Sequence, residues 1–219
     1  MQLADLKGKT IAFLASGGLD SCTITRWLTD HGVTVVAVTA DLAQPDEVNF
    51  DDVRDRMLAS GAVEYVAVPL REAIAEAGLE AIQAQACYEG RYWNTTGIGR
   101  HVTVAGTLPI LRDRGITVLS HGATGRGNDQ VRFQLVTNML APDVTVYAPW
   151  RDPAFLGAFG GRSEMIDFCK AKGLPIKASK DAPYSTDSNL LGLTHEAGKL
   201  ESLETPPSFV VPEMGRRPD

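Results

Sequence analysis

The sequence predicts an α/β protein built on a doubly wound parallel sheet. Three observations carry that prediction. Short β-branched runs alternate with helix-periodic segments along most of the chain. The first such run ends in two adjacent glycines and passes directly into a helix. Most of the polar motifs fall at the ends of predicted strands, where a parallel sheet places its ligands.

TIAFLA (10–15) reads as the first strand. Ile24, Trp27, Leu28 and His31 then recur at helical spacing. VTVVAVTADL (33–42) is a long β-branched strand, and FDDVRDRMLASG (50–61) is a helix stopped at Gly61. VEYVAVP (63–69) is a strand. LREAIAEAGLEAIQAQA (70–86) is helical, with a break expected near Gly78. HVTVAGTLPILRDRG (101–115) is helical, and Pro109 is expected to kink or interrupt it. ITVLSHG (116–122) is a strand, NDQVRFQLVTNML (128–140) a helix and VTVYAP (144–149) a strand. GRSEMIDFCKAKG (161–173) is a helix ending at glycine. The proline-rich TPPSFVVPEMGRRPD (205–219) reads as a linker or an excursion to another element.

The 219 residues are 44% hydrophobic and carry a formal net charge of −6, which suits one or two globular domains. An acidic chain without Lys/Arg blocks argues against a nucleic-acid partner. No apolar run approaches the ~18 residues of a membrane span. MQLADLKGKT lacks the apolar core of a secretory leader, so a cytoplasmic location is expected. Cys22, Cys87 and Cys169 form no CxxC pair, which suits reduced thiols and argues against structural zinc. His195-Glu196 has no second ligand pair at suitable spacing, so no metal site is predicted from the protein side chains.

The stretch LASGGLDSC (14–22) is the strongest local signal. Adjacent glycines allow a very close backbone approach. A helix N-terminus offers unpaired N–H groups and a positive dipole end, so together they form an anion cradle. The plain alternative is a glycine turn with Asp20 as a helix cap. The loop lacks the lysine of a Walker motif, and GATGRG (122–127) is followed by Asn128-Asp129 rather than Lys-Ser/Thr. Asn128-Asp129 also suits a plain helix cap, and Arg132 a surface ion pair. His31, His101 and His121 read as structural or solvent-facing.

SGGLDS (16–21) resembles the pyrophosphatase loop of the N-type ATP pyrophosphatases. Further stretches resemble the argininosuccinate synthase family: TADLAQPDE (39–47), RYWNTTGIGRHVT (91–103), GATGRGNDQVRF (122–133), APWRD (148–152), GGRSEM (160–165) and APYSTDSNLLGLTHEAGKLE (182–201). They follow the family's order over nearly the whole chain, with wording closest to a bacterial branch. The resemblance implies an adenine-nucleotide α-hydrolase-like fold in the cytoplasm. It implies ATP-dependent ligation of L-citrulline and L-aspartate to argininosuccinate, in arginine biosynthesis, through a citrullyl-AMP intermediate. AMP and pyrophosphate are released, and Mg²⁺ accompanies ATP.

The family's site residues carry over one by one. ATP is expected on Leu14, Ala15, Ser16, Gly17, Gly18, Leu19, Asp20, Ser21 and Cys22, with Ala40, Gly122, Thr124, Asp129 and Asp187. Aspartate is expected at Thr124, Asn128 and Asp129. Citrulline is expected at Tyr92, Asn128, Arg132, Ser185, Thr194 and Glu196. Asp20, Asp129 and Arg132 are the expected catalytic residues, Asp20 positioning Mg²⁺ or capping its helix. The residue types suit the substrates. Arg132 can pair bidentately with a carboxylate and Glu196 can meet an ammonium. The neutral hydroxyls of Ser185, Thr194 and Tyr92 can satisfy polar groups that would otherwise be buried unpaired.

Three departures stand out. Cys22 takes a place usually held by Ser, Leu14 one often held by a small residue, and Ala43 one where glycine is common. The family's chains also run to roughly twice this length. The resemblance therefore divides the chain into a nucleotide-binding domain (1–170) and the start of a synthetase region (171–219). A homo-oligomer or a partner chain would supply the rest. A different ureido, amide or acid acceptor, or a non-catalytic ATP-binding subunit, is the alternative function.

Overall fold

Strand β1 (Thr10–Leu14) feeds two cores with alternate residues. Ile11 and Phe13 point into one and Ala12 into the other. The computed structural model describes residues 1–217 apart from 46, 48, 126, 177–183 and 197. Parts of three motifs quoted above (Asp46, Arg126, and Ala182-Pro183 with Ala197) lie outside the described residues, as do 177–181 of the expected synthetase region.

The order is β1, α1 (Leu19–Asp30), β2 (Thr34–Asp41), α2 (Phe50–Ala59), β3 (Glu64–Pro69), α3 (Arg71–Gln83) and α4 (Thr95–Asp113). It continues through β4 (Val118–His121), α5 (Asp129–Leu140), β5 (Thr145–Tyr147), α6 (Pro153–Ala158) and α7 (Arg162–Ala171). A hairpin of β6 (Ser185–Asn189) and β7 (Gly192–Glu196) follows. The first five strands form one parallel sheet in the order β3-β2-β1-β4-β5. The chain winds outward through β2 and β3, then returns to β4 on the other side of β1. Leu14 lies between Val38 of β2 and His121 of β4. The connections leaving β1 and β4 therefore diverge and open a crevice at the strand ends.

Both faces of the sheet are covered, as the β–α alternation predicts. Trp27 and Leu28 of α1, Val53 and Met57 of α2, and Met165 and Ile166 of α7 pack on Ile11, Phe13, Val35 and Ala37. Val104, Leu108 and Leu111 of α4 and Phe133 of α5 pack on Ala12, Val36, Val38 and Leu119. The β6–β7 hairpin is antiparallel and pairs with no strand of this sheet. It is tied to the body by side-chain and loop contacts, with Leu191 packed against the cluster of Leu42, Leu70, Ile74 and Val102. Asn189 Nδ2 donates to the Thr95 carbonyl (3.0 Å), and the Leu190 N–H donates to the Leu42 carbonyl (2.8 Å).

Three helices differ from the sequence reading. Helix α3 runs unbroken through Gly78, which is buried against the hairpin. A Cβ at Gly78 would lie 2.4 Å from Leu191 Cδ2. Here glycine makes room for a neighbour rather than breaking the helix. Helix α4 begins at Thr95, well before residue 101, and continues past Pro109 to Asp113. Its start was hidden because TTGIG is poor helical sequence. Those glycines lie under close neighbours: a Cβ at Gly97 would lie 3.3 Å from Arg132 Nε, and one at Gly99 3.0 Å from Asn189 Nδ2. The short helix α6 carries no apolar periodicity to announce it. It is capped by Asp152, which accepts from the Ala154 N–H at 2.9 Å.

Ala43 occupies the left-handed region with φ +57°. The backbone thus keeps a glycine-like turn with a Cβ added, at a cost of about 1 kcal/mol. Ala43→Gly is expected to raise stability by about 1 kcal/mol in urea unfolding. An unchanged or lower midpoint would show that the turn stores no strain.

Candidate functional site

The crevice at the ends of β1 and β4 is a cleft of roughly 940 Å³. Its floor is the β1–α1 connection. Gly18 is the N-cap of α1 and makes no side-chain cap bond, and the first helical bond runs from the Cys22 N–H to the Gly18 carbonyl. The first-turn N–H groups of α1 therefore lie at the cleft without helical carbonyl partners. Ser21 Oγ accepts from the Ser16 N–H at 3.0 Å and closes the loop on itself. Gly17 has φ +71°. A Cβ there would lie 2.9 Å from both Arg56 Nη2 and Val53 Cγ1.

Arg56, reaching in from α2, braces this loop from behind. Its side chain is 6% exposed, its Nε donates to the Gly17 carbonyl (2.9 Å), and its Nη2 pairs with Glu47 (2.8 Å). Asp20 stands at the start of α1. Burial pushes its carboxyl up from the ordinary value, and a hydrogen bond from Trp150 acts against that rise. Cys22 is fully buried, and burial pushes its thiol up, which leaves it as a packing residue.

The opposite wall comes from α4, the start of α5 and the hairpin. Arg100 of α4 donates to Asp129 Oδ2 (2.8 Å) and to Asp187 Oδ2 (2.6 Å). Asp129 Oδ1 accepts in turn from Arg132 Nη1 (2.7 Å). Burial alone would raise the Asp129 carboxyl, but the Arg100 charge and the hydrogen bonds from Arg132 and Arg100 outweigh it and hold it low. Asn128 sits at the N-cap position of α5, yet its side chain makes no cap bond. The capping reading therefore holds for position and not for function. Tyr92 Oη accepts from the Thr96 N–H at 3.0 Å.

Most of the residues singled out in the sequence meet in this one cleft. Leu14, Ala15, Ser16, Gly17, Gly18, Asp20, Ser21, Ala40, Gly122 and Thr124 line it. So do Asn128, Asp129, Arg132, Tyr92, Asp187, Thr194 and Glu196. Leu19 and Cys22 do not; their side chains belong to the core under α1. Ser185 is exposed at the start of β6 and does not line the cleft. Sequence reasoning passed over Arg100 and Arg56, and read His121 as structural or solvent-facing although it lines the cleft. Arg100 lies within RYWNTTGIGRHVT and was available from that motif, whereas nothing local marks Arg56 as buried.

His121 ends β4, stacks on Phe133 with ring centroids 4.5 Å apart, and accepts from the Ala123 N–H through Nδ1. Its Nε2 is buried without a hydrogen-bond partner. Burial pulls its pKa down to about 4, so the ring is neutral at pH 7. His195 bonds Thr186 Oγ1 through Nδ1 at 2.9 Å. Among the described residues no group of three or more His, Cys, Asp or Glu side chains is placed to hold a metal. No helix among them is long and apolar enough to cross a membrane.

A glycine loop running into a helix at the switch point of a β3-β2-β1-β4-β5 parallel sheet gives the class: an α/β domain of the HUP type. Residues 10–175 match the family model of the arginosuccinate synthase N-terminal HUP domain. The chain belongs to the argininosuccinate synthase family. It is 43% identical to the argininosuccinate synthase of Thermotoga petrophila over 187 residues, which cover 85% of this chain and 45% of that one. Against the Saccharomyces cerevisiae argininosuccinate synthase it is 40% identical over 202 residues, covering 92% and 47% of the two chains. The chain thus spans about half the length of these relatives. Among solved structures, a U34-tRNA thiolase from Methanococcus maripaludis is similar at a TM-score of 0.49 and 14% identity, over 80% of this chain and 60% of that one.

His121 makes stability depend on pH. Its folded pKa of about 4 lies below the ordinary value of 6.5, so the unfolded chain binds the proton more tightly. The neutral ring's contribution is complete above pH 6.5 and is lost as pH falls toward about 4. The loss is on the order of 3 kcal/mol. Urea unfolding between pH 7 and 4 should show this slope in the wild type and a shallower one in His121→Gln. Parallel slopes would remove His121 from the account.

Proposed function

We propose that this chain provides the nucleotide-binding half of a ligase that joins L-citrulline to L-aspartate at the expense of ATP. The observation that carries the reading is that the residues expected for all three substrates, apart from Leu19, Cys22 and Ser185, line a single cleft at the sheet's switch point. In this reading the β1–α1 loop binds the phosphates through the N–H groups of α1 and the Ser16 and Ser21 hydroxyls. Ala40, at the end of β2, lies on the nucleotide's base side. Thr124, Asn128 and Asp129 bind aspartate. Tyr92, Arg132, Thr194 and Glu196 bind citrulline. Residues 171–219 begin the synthetase region.

The donor set also suits Mg²⁺ with ATP. Mg²⁺ is commonly held by one or two carboxylates together with phosphates and water, and Asp20 offers a carboxylate beside the phosphate loop. When bound, it would neutralise phosphate charge. The rest of the work is positioning. The citrulline ureido oxygen attacks the α-phosphate, giving citrullyl-AMP and releasing pyrophosphate. The aspartate amine then displaces AMP and forms the new C–N bond. Neither step needs a protein nucleophile, and charge stabilisation by fixed donors is the main contribution of the site.

The match to about half of each relative favours one further reading, in which a second chain or segment completes the citrulline site. A mass-spectrometric assay with Mg-ATP, citrulline and aspartate separates the two. AMP, pyrophosphate and argininosuccinate together mean that the chain acts alone. ATP binding without products moves completion of the site to a partner. If products form, Asp20→Ala and Arg132→Ala should each lower their formation about a hundredfold or more. Wild-type rates in either folded variant would refute the assigned roles.

A further inference from the structure

Two motifs of the sequence, APWRD and GGRSEM, have no substrate assigned to them, and both reach toward Asp20. Trp150, in the short turn that follows β5, donates its indole N–H to Asp20 Oδ1 at 2.9 Å across 130 residues of sequence. Arg162, at the start of α7, adds a positive charge that acts on the same carboxylate. The indole is itself held in place. It meets Phe155 edge to face with centroids 5.1 Å apart, and Phe155 is fully buried. The backbone of Trp150 also backs the second glycine loop. A Cβ at Gly125 would lie 2.7 Å from the Trp150 carbonyl oxygen. One residue therefore touches both loops that flank the switch point.

We propose that Trp150 is a positioning residue for the nucleotide site: its indole N–H fixes the carboxylate of Asp20 by one oxygen, leaving the other for the cleft, while its backbone seats the GATG loop opposite. This rests on the nucleotide reading of the cleft. The geometry explains why an indole is used. A phenyl ring would keep the edge-to-face packing on Phe155 but leave a partly buried carboxylate only the bond from its own backbone N–H, and the charge-assisted indole bond is among the stronger ones. Asp20 would then be free to adopt other rotamers.

Two measurements on the full chain test this. The first follows the indole N–H resonances of Trp27, Trp93 and Trp150 by nitrogen-15 NMR, with the Trp150 signal identified by its loss in Trp150→Phe. Asp20→Asn is expected to move the Trp150 signal and leave the other two in place. The second measures ATP affinity by calorimetry with Mg²⁺ and with EDTA. Trp150→Phe is expected to weaken binding about tenfold with Mg²⁺ and about twofold or less without it, because the defect passes through Asp20. A Trp150 signal that stays fixed in Asp20→Asn overturns the proposal. So does an equal loss of affinity with and without Mg²⁺, which is the mark of a merely structural role. A wild type that binds no ATP refutes the nucleotide reading; the NMR result then still decides the Trp150–Asp20 pairing. It also decides the matter if Trp150→Phe does not fold, the signal then being assigned by sequential NMR.

Discussion

The cleft exists because one guanidinium joins three parts of the chain. Arg100 sits on α4, which packs on the sheet, and bonds Asp129 at the start of α5 and Asp187 on the hairpin. Removing that charge would leave two carboxylates in the same wall with no cation between them, an arrangement that is strongly unfavourable when partly desolvated. The bonds extend further. Arg132 meets Asp129 on its other oxygen, and Gly97 lets Arg132 lie close along α4. Charge alternates along this wall, so each side chain is oriented by its neighbour. A substrate entering the cleft meets groups already held in place, which lowers the ordering cost of binding.

The opposite wall works by a different principle. Around Gly17 the positioning is steric and by hydrogen bond to the backbone: a left-handed glycine, a buried Arg56 donating to its carbonyl, and Val53 packed beneath. This wall presents backbone N–H groups, while the Arg100 wall presents side chains. That division suits a site in which one partner is a polyphosphate and the others carry amino-acid carboxylates and ammonium groups.

Much of the fold was legible because the sheet is buried on both faces. Strands such as VTVVAV must then be continuously apolar, and the intervening helices must carry a stripe. The glycines were the least legible part. Gly78, Gly97 and Gly99 all read as helix weakeners by propensity, and all sit in helices because something approaches them closely. Close approach is a tertiary fact with no local signature. The same holds for Arg56: FDDVRDRML reads as a helix, and nothing in it marks this side chain as buried. The site residues were legible through long motifs in order, not through any one position. Taken alone, Asn128-Asp129 looks like a cap, and the cap bond is absent. Asp129 is instead committed to two arginines: Arg132, one turn on in the same helix, and Arg100, which only the fold brings within reach.

The hairpin carries a consequence for motion. It contributes Asp187, Thr194 and Glu196 to the cleft, yet it shares no ladder with the main sheet and rests on a few side-chain and loop bonds. A two-stranded ribbon has little stability of its own in water. Its opening is therefore a subglobal event that the five-stranded sheet need not join, with a free energy well below that of global unfolding. Its amides should exchange with solvent long before those of β1 do. Occupancy of the cleft would read out as slowed exchange in β6 and β7, at a distance from the phosphate loop.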